Sequence, residues 1–206
     1  MLPRQCAESI MVVMQRLAHQ RSNLSIAAMC GAQQFIQWQH YPAHDAVDAT
    51  HNSEFYYHAH SGAQHSDDEH GHFHVFTRPG GRHRFHHLIG VSMNQRGLPT
   101  RLFLTNQWVT GEHWAAPQQL ELALQRFHCQ LQGRLSPVSR WISAMVHLYR
   151  PEIQALHQRR YRWHQRLYQT TGSRLHLRDR RCDVICEKQI DLIQTLDQAH
   201  AGGIAN

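Results

Sequence analysis

The chain has 206 residues, 41% of them hydrophobic, which is enough to bury a substantial core and argues against wholesale disorder. Its formal net charge of +6 comes almost entirely from arginine, because Lys188 is the single lysine. No apolar run approaches the ~18 residues of a membrane span, and a secretory pattern is lacking because Arg16 interrupts the short apolar run before it. We therefore expect one cytoplasmic domain over residues 1–206, with no membrane partner.

The N-terminal part of the chain predicts helices followed by a sheet. Apolar residues recur at helical spacing over residues 4–39, which predicts two helices. The residue before a proline is pushed out of the helical region, so Tyr41-Pro42 ends the second helix, and residues 42–53 are predicted to be a polar connection. From residue 54 the period changes to two. Short turns then separate four strands between about 54 and 109, and this spacing predicts an antiparallel meander.

Helical spacing returns after the sheet. Residues 117–170 are predicted to form a C-terminal helical bundle, with Pro117 in a first helical turn. Residues 175–199 are ambiguous, and 183–187 could form a short strand before a last helix at 190–199. The predicted fold class is α+β: an antiparallel four-stranded meander over about 54–108, flanked by N-terminal helices and a C-terminal helical bundle on its apolar face.

Histidine is the compositional anomaly, since ten of the 20 histidines lie between His51 and His87. Side chains at i and i+2 of a strand share a face about 6.6 Å apart, and a neighbouring strand brings further partners closer. Two extended segments carry such pairs, and their imidazoles can converge on one ion. Neutral imidazole suits zinc or iron better than magnesium or calcium, and Glu54 could add an oxygen ligand. The predicted metal ligands are His58, His60, His70, His72, His74 and His87.

A simpler interpretation of this face is an ordinary wet surface. Antiparallel sheets often keep one face dry and one solvated, so polar residues opposite Phe55, Tyr57, Phe73 and Val75 are expected in any case. That interpretation does not explain why histidine occupies five of the positions. A histidine cluster that catalyses or binds a ligand without a metal is a further alternative.

One local segment resembles a known catalytic motif. His70-Gly71-His72-Phe73-His74-Val75-Phe76 is similar to the histidine-triad motif of nucleotide hydrolases and transferases. In that family the middle histidine attacks the α-phosphate, so the resemblance implies that His72 is a catalytic nucleophile. Gly71 departs from the motif, in which an apolar residue is usual.

A second resemblance extends over most of the chain. It rests on Glu69-His-Gly-His-Phe-His74, on His87-Leu-Ile-Gly, on Gly97-Leu-Pro-Thr-Arg-Leu-Phe103 and on Thr105-Asn-Gln-Trp-Val-Thr-Gly-Glu112. These segments resemble an uncharacterised bacterial single-domain family with an EHGHFH motif and a downstream TN-x-WVTGE segment. The resemblance implies a full-length domain and no mechanism.

Other residues suggest roles around the histidines. The segment Thr105–Glu112 could line a pocket that opens onto them, and Glu112, or else Glu54, is the candidate for proton transfer. Four arginines interleaved with aromatic residues suit a phosphate-bearing ligand: Arg159, Arg160, Arg162 and Arg166.

Three functions follow from these observations. The first is a metal-binding protein, a metal-dependent enzyme that acts on a small molecule. The second is a nucleotide hydrolase or transferase of the histidine-triad kind. The third is a non-catalytic binding module with a basic helical face. A catalytic serine elbow, a phosphate-binding glycine loop and a dinucleotide fingerprint are missing from the sequence, which disfavours those enzyme classes.

Overall fold

The computed structural model describes residues 1–60, 68–80 and 83–201. Residues 61–67, most of a polar loop expected at 61–69, and the chain end at 202–206 lie outside the described residues. The α-helices are α1 (Pro3–His19), α2 (Leu24–Ala28), α3 (Gln107–Thr110), α4 (Pro117–Arg126), α5 (Ser136–Leu148), α6 (Arg150–Thr171) and α7 (Leu192–Ala201), with short 3₁₀ turns at Gly133–Leu135 and Leu175–Arg178. The strands are β1 (Tyr41–Asp48), β2 (Ser53–His58), β3 (Glu69–Thr77), β4 (His86–Asn94), β5 (Pro99–Thr105) and β6 (Val184–Gln189).

The strands form one antiparallel sheet in the order β1-β2-β3-β4-β5-β6. The predicted meander is present as β2 to β5, and the α+β class is confirmed. The described residues form six strands, two more than the predicted meander, and β6 lies where a short strand at 183–187 was one possibility. β1 occupies the predicted polar connection, where a register shift between Tyr41 and Ala46 hides the alternation. β6 follows the helices and adds to the free edge of β5, a pairing that only the tertiary fold creates.

The second predicted helix is much shorter than expected. Asn23 caps α2 by accepting a hydrogen bond from the Ile26 N–H at 3.0 Å, but the helix ends at Ala28 and not near residue 39. Cys30 and Gly31 follow with positive φ angles of 54° and 92°, which a right-handed helix cannot include. The aromatic ring of Phe35 instead packs on the core.

The two faces of the sheet have different surroundings. Phe55 and Tyr57 of β2 and Phe73 and Val75 of β3 are buried in the core, where the Phe73 ring meets that of Trp141 on α5 at 5.7 Å. The intervening residues of β2 and β3 point to the opposite face, as the period of two predicts. The helices therefore pack on the core face of the sheet, and the histidines lie on its other face.

Two glycines fix how closely the strands approach each other. A Cβ atom at Gly71 would lie 2.7 Å from the backbone oxygen of His58 and 2.8 Å from the hydroxyl of Tyr57. A Cβ atom at Gly90 would collide with the ring of Phe103. Glycine at these positions lets β3 sit close to β2, and it lets the Phe103 ring lie across β4 beside the histidines.

No helix within the described ranges has both the length and the apolar character needed to cross a bilayer.

The buried side chain of His157 is expected to make the free energy of unfolding depend on pH. Its Nε2–H donates to the Leu88 carbonyl oxygen at 2.8 Å, and burial, helped by Arg160, lowers its pKa to about 3 from 6.5. Below pH 6.5 the side chain of His157 is protonated in the unfolded chain but stays neutral in the folded chain. The free energy of unfolding should therefore fall with pH, by about 1.4 kcal/mol per pH unit from this residue alone.

Urea unfolding of wild type and His157→Gln at pH 7, 6 and 5 measures this effect. The variant keeps a donor for Leu88 and should show a slope shallower by about one proton. His19→Gln, at an exposed histidine of α1, is the control. Equal slopes for wild type and His157→Gln would contradict the assignment.

Candidate metal centre

Three buried histidines converge on the histidine face of the sheet. His58 on β2 lies directly opposite His72 on β3, and their Nε2 atoms are 2.8 Å apart. His74 follows two residues later on the same face. Each of the three offers a ligand atom, and these atoms lie within 4.8 Å of one another. Their exposed fractions are 8%, 1% and 1%. The cluster is therefore compact, enclosed and suited to hold a metal ion.

A carboxylate orients His72. Glu69 Oε1 lies 2.7 Å from His72 Nδ1, and Glu69 Oε2 accepts from Arg101 Nη2 at 3.1 Å. The Nδ1–H of His72 is thus donated to Glu69, which leaves the Nε2 lone pair facing the cluster. A carboxylate behind a histidine is the usual outer support of a metal ligand.

His87 supports His74 from behind. His87 Nε2 lies 3.0 Å from His74 Nδ1, and its own Nδ1 lies 3.4 Å from the Thr105 hydroxyl. Burial, with the neighbouring positive groups, holds the pKa of both histidines well below the ordinary value. Both rings are therefore neutral, the form in which imidazole binds metals. Its position behind His74 makes His87 a supporting residue and not a member of the cluster.

The other two predicted ligands, His60 and His70, lie outside the group of three. The ring of His60 lies 5.3 Å from that of His58 and 5.1 Å from that of His72, at the edge of the cluster. It stacks on Trp38 at 4.5 Å.

His70 is separated from the cluster. It is the extra residue of a bulge between β3 and β4, where the register shifts between Glu69 and Gly71. Its ring stacks on Phe35 at 4.6 Å and its Nδ1 lies 2.7 Å from the Tyr57 hydroxyl. The strict alternation assumed from the sequence breaks at this bulge, so His70 faces the core side.

The two predicted proton-transfer residues also have different surroundings. Glu54 pairs with Arg78 and faces the cavity described below. Glu112 is buried, accepts from Arg160 Nη1 at 2.6 Å and from the His87 backbone N–H at 2.8 Å, and does not line that cavity.

A cavity of about 600 Å³ adjoins the cluster. Thr105 and Trp108 line it, as predicted for that segment, and Arg180, Arg181 and Asp183 complete part of its wall. The histidines that face it are His40, His58, His60, His72 and His74, and the aromatic residues are Trp38, Tyr56, Phe76, Phe85, Phe103 and Trp108. A small molecule in this space would contact the cluster directly.

Sequence reasoning missed a histidine–carboxylate pair in the cavity wall. His40 Nδ1 lies 2.8 Å from Asp45 Oδ1, and the His40 ring stacks on Tyr56 at 3.8 Å. Asp45 has a positive φ of 46° within the irregular part of β1, which aims its side chain at His40. No periodic pattern marks these residues. For Glu69 the sequence offers a usable signal, because a carboxylate stands three residues before a candidate ligand.

The four arginines of α6 do not form one exposed face. Arg160 is buried in its ion pair with Glu112, and its guanidinium lies 4.7 Å from the Trp114 ring. It is therefore unavailable to a phosphate-bearing ligand, because its charge is satisfied inside the protein. Arg159, Arg162 and Arg166 are exposed.

The fold and the site define an α+β protein with a buried histidine cluster beside an aromatic cavity. A family model described as a domain of unknown function (DUF6969) matches residues 4–190, and the chain belongs to this family. The match confirms the resemblance to an uncharacterised single-domain family. No curated protein and no solved structure matches the chain at a significant level.

Proposed function

We propose that the chain binds zinc or iron through His58, His72 and His74 and is a metal-dependent enzyme that acts on a small molecule in the adjoining cavity. The observation that carries this proposal is the convergence of three buried imidazoles with ligand atoms within 4.8 Å of one another. Three protein ligands leave a coordination position open, which is the pattern of a catalytic site and not of a structural one.

The surroundings of the cluster support a metal over a wet surface. Glu69 behind His72 and His87 behind His74 fix the orientation of two of the rings. Such outer support is typical of histidines that bind a metal, and rings that only face solvent do not require it. His60 is close enough to the cluster to join as a further ligand if its side chain shifts.

Proton transfer in this enzyme is better supported for Glu54 than for Glu112. Glu54 lines the cavity, whereas the carboxylate of Glu112 is occupied by Arg160 and lies outside it. His40, with its Nδ1 held by Asp45, is another group in the cavity wall that can carry a proton.

The geometry is less favourable to the histidine-triad alternative. Both ring nitrogens of His72 have close partners, Glu69 at Nδ1 and His58 at Nε2, so a nucleophilic nitrogen is not presented to the cavity alone. A covalent adduct trapped on His72 with a nucleotide substrate would support that alternative. The binding-module alternative depends on Arg159, Arg162 and Arg166, and predicts salt-sensitive binding that survives loss of the histidines.

Metal analysis of protein purified without a histidine tag tests the proposal. We expect about one ion per chain in wild type and below about 0.2 in His72→Ala and His74→Ala. His44→Ala removes an exposed histidine of β1 as the matched control, and should leave the metal content unchanged. A wild-type protein without metal, after exposure to zinc and to iron(II), would refute the proposal.

A further inference from the structure

The cavity wall carries six aromatic side chains besides the histidines. Each comes from a different segment of the chain: Trp38, Tyr56, Phe76, Phe85, Phe103 and Trp108. Three of the rings are contiguous, since Tyr56 and Phe76 lie 5.6 Å apart and Phe76 and Phe85 are equally close. Phe103 adjoins the cluster itself, 5.4 Å from His72 and 5.6 Å from His74.

Part of this aromatic surface remains in contact with water. Trp38 is 66% exposed, and Phe85 and Trp108 are half-buried. Covering wetted aromatic surface in a concave site with a flat apolar group is favourable, because it removes apolar area from water. Aromatic rings pack well at centroid separations of about 4.5–7 Å. The volume of about 600 Å³ falls in the range of small-molecule sites.

With a divalent ion bound at the histidines, the charges of the wall favour an anionic donor group. Asp45 is engaged by His40 and Glu54 by Arg78, which leaves Asp183. Arg181 pairs with Asp179. Arg180 lies 5.8 Å from the Trp108 ring and makes no ion pair within the part of the chain that the structure describes. A divalent ion at the histidines would make the charged groups of this wall net positive.

We infer that the cavity takes a small aromatic molecule with an anionic oxygen donor, of the class of aromatic carboxylates. The oxygen would bind the ion held by His58, His72 and His74, and the ring would lie among the aromatic walls. The inference rests on the proposed metal centre.

Binding of acetate, benzoate and naphthoate to cobalt(II)-loaded protein tests it, by calorimetry and by the visible spectrum of the cobalt ion. The three probes share one donor group and one charge, and differ only in aromatic surface. Affinity should rise by about tenfold with each added ring, because each ring buries apolar area.

Variants locate the effect. Phe85→Ala should weaken naphthoate binding by about fivefold or more and change acetate binding by less than about twofold, because it removes wall surface and touches none of the proposed ligands. Tyr168→Ala is the matched control, since Tyr168 is a 42% exposed aromatic residue of α6 outside the cavity. Cobalt content and thermal unfolding, measured for each variant, show that any loss is not one of metal or fold.

The outcomes separate the two proposals. Cobalt uptake with affinities for the three probes within about twofold of one another would overturn the aromatic inference and leave the metal centre standing. The same holds if Phe85→Ala behaves like the control. Failure to bind cobalt, zinc or iron would overturn both.

Discussion

Glu69→Gln is expected to weaken metal binding by about 10- to 100-fold, although Glu69 is not itself a ligand. Glutamine can still accept a hydrogen bond from His72 Nδ1–H, but it lacks the negative charge that makes the imidazole a stronger donor to the ion. In the wild type the Arg101 guanidinium donates to Glu69 Oε2. In the variant an uncharged amide group would face that guanidinium. Affinity for zinc, measured by competition with a chromophoric chelator, reports the change.

Glu187→Gln is the matched control. Glu187 accepts from the same Arg101, at 2.7 Å, but it is 47% exposed. The same substitution at this position should change the zinc affinity by less than about twofold. If Glu69→Gln and Glu187→Gln weaken binding equally, the effect comes through Arg101 and the support of His72 by Glu69 is refuted.

Glu112→Gln should lower the free energy of unfolding by about 3–5 kcal/mol, because it leaves the charge of Arg160 buried without a counterion. The exposed fractions of the two side chains are only 0% and 2%, and Arg160 Nη2 already lacks a hydrogen-bond partner among the described residues. Urea unfolding at neutral pH measures the loss. A loss below about 1 kcal/mol would contradict the structural role of the pair.

A second substitution separates the charge from the shape of the site. Glu112→Gln combined with Arg160→Met removes both charges and keeps an acceptor for the His87 backbone N–H, so much of the lost stability should return. Glu152→Gln is the control, since its ion pair with Lys188 is partly exposed, with Lys188 50% and Glu152 27% exposed, and should contribute less than about 1 kcal/mol. Greater damage in the double variant than in Glu112→Gln would show that the arginine stabilises the fold through contacts other than its ion pair.

The central strands and the convergence of the histidines could be predicted from the sequence. The period of two in β2 and β3 assigns Phe55, Tyr57, Phe73 and Val75 to the core, and the structure buries all of them. The same period puts the side chains of His58, His72 and His74 on the other face, and short connections make the strands neighbours. Both inferences use only local geometry, which the sequence specifies directly.

Irregular backbone limited the rest of the prediction. The bulge at His70 turns one candidate ligand away from the cluster, and the register shift in β1 disguises a strand as a loop. Neither leaves a periodic signal, because a bulge is stabilised by what surrounds it. The pair of His40 and Asp45 went unnoticed for the same reason.

By itself, the sequence determined the α+β class, the strands β2 to β5 and the face on which most of the histidines lie, since alternation and turn residues act over a few neighbouring positions. Only the tertiary structure decided which polar groups meet across long separations. It placed β6 beside β5, Glu112 against Arg160, and aromatic residues from six segments around the cluster. Such contacts depend on how the helices and the sheet pack together, and no local pattern encodes that arrangement.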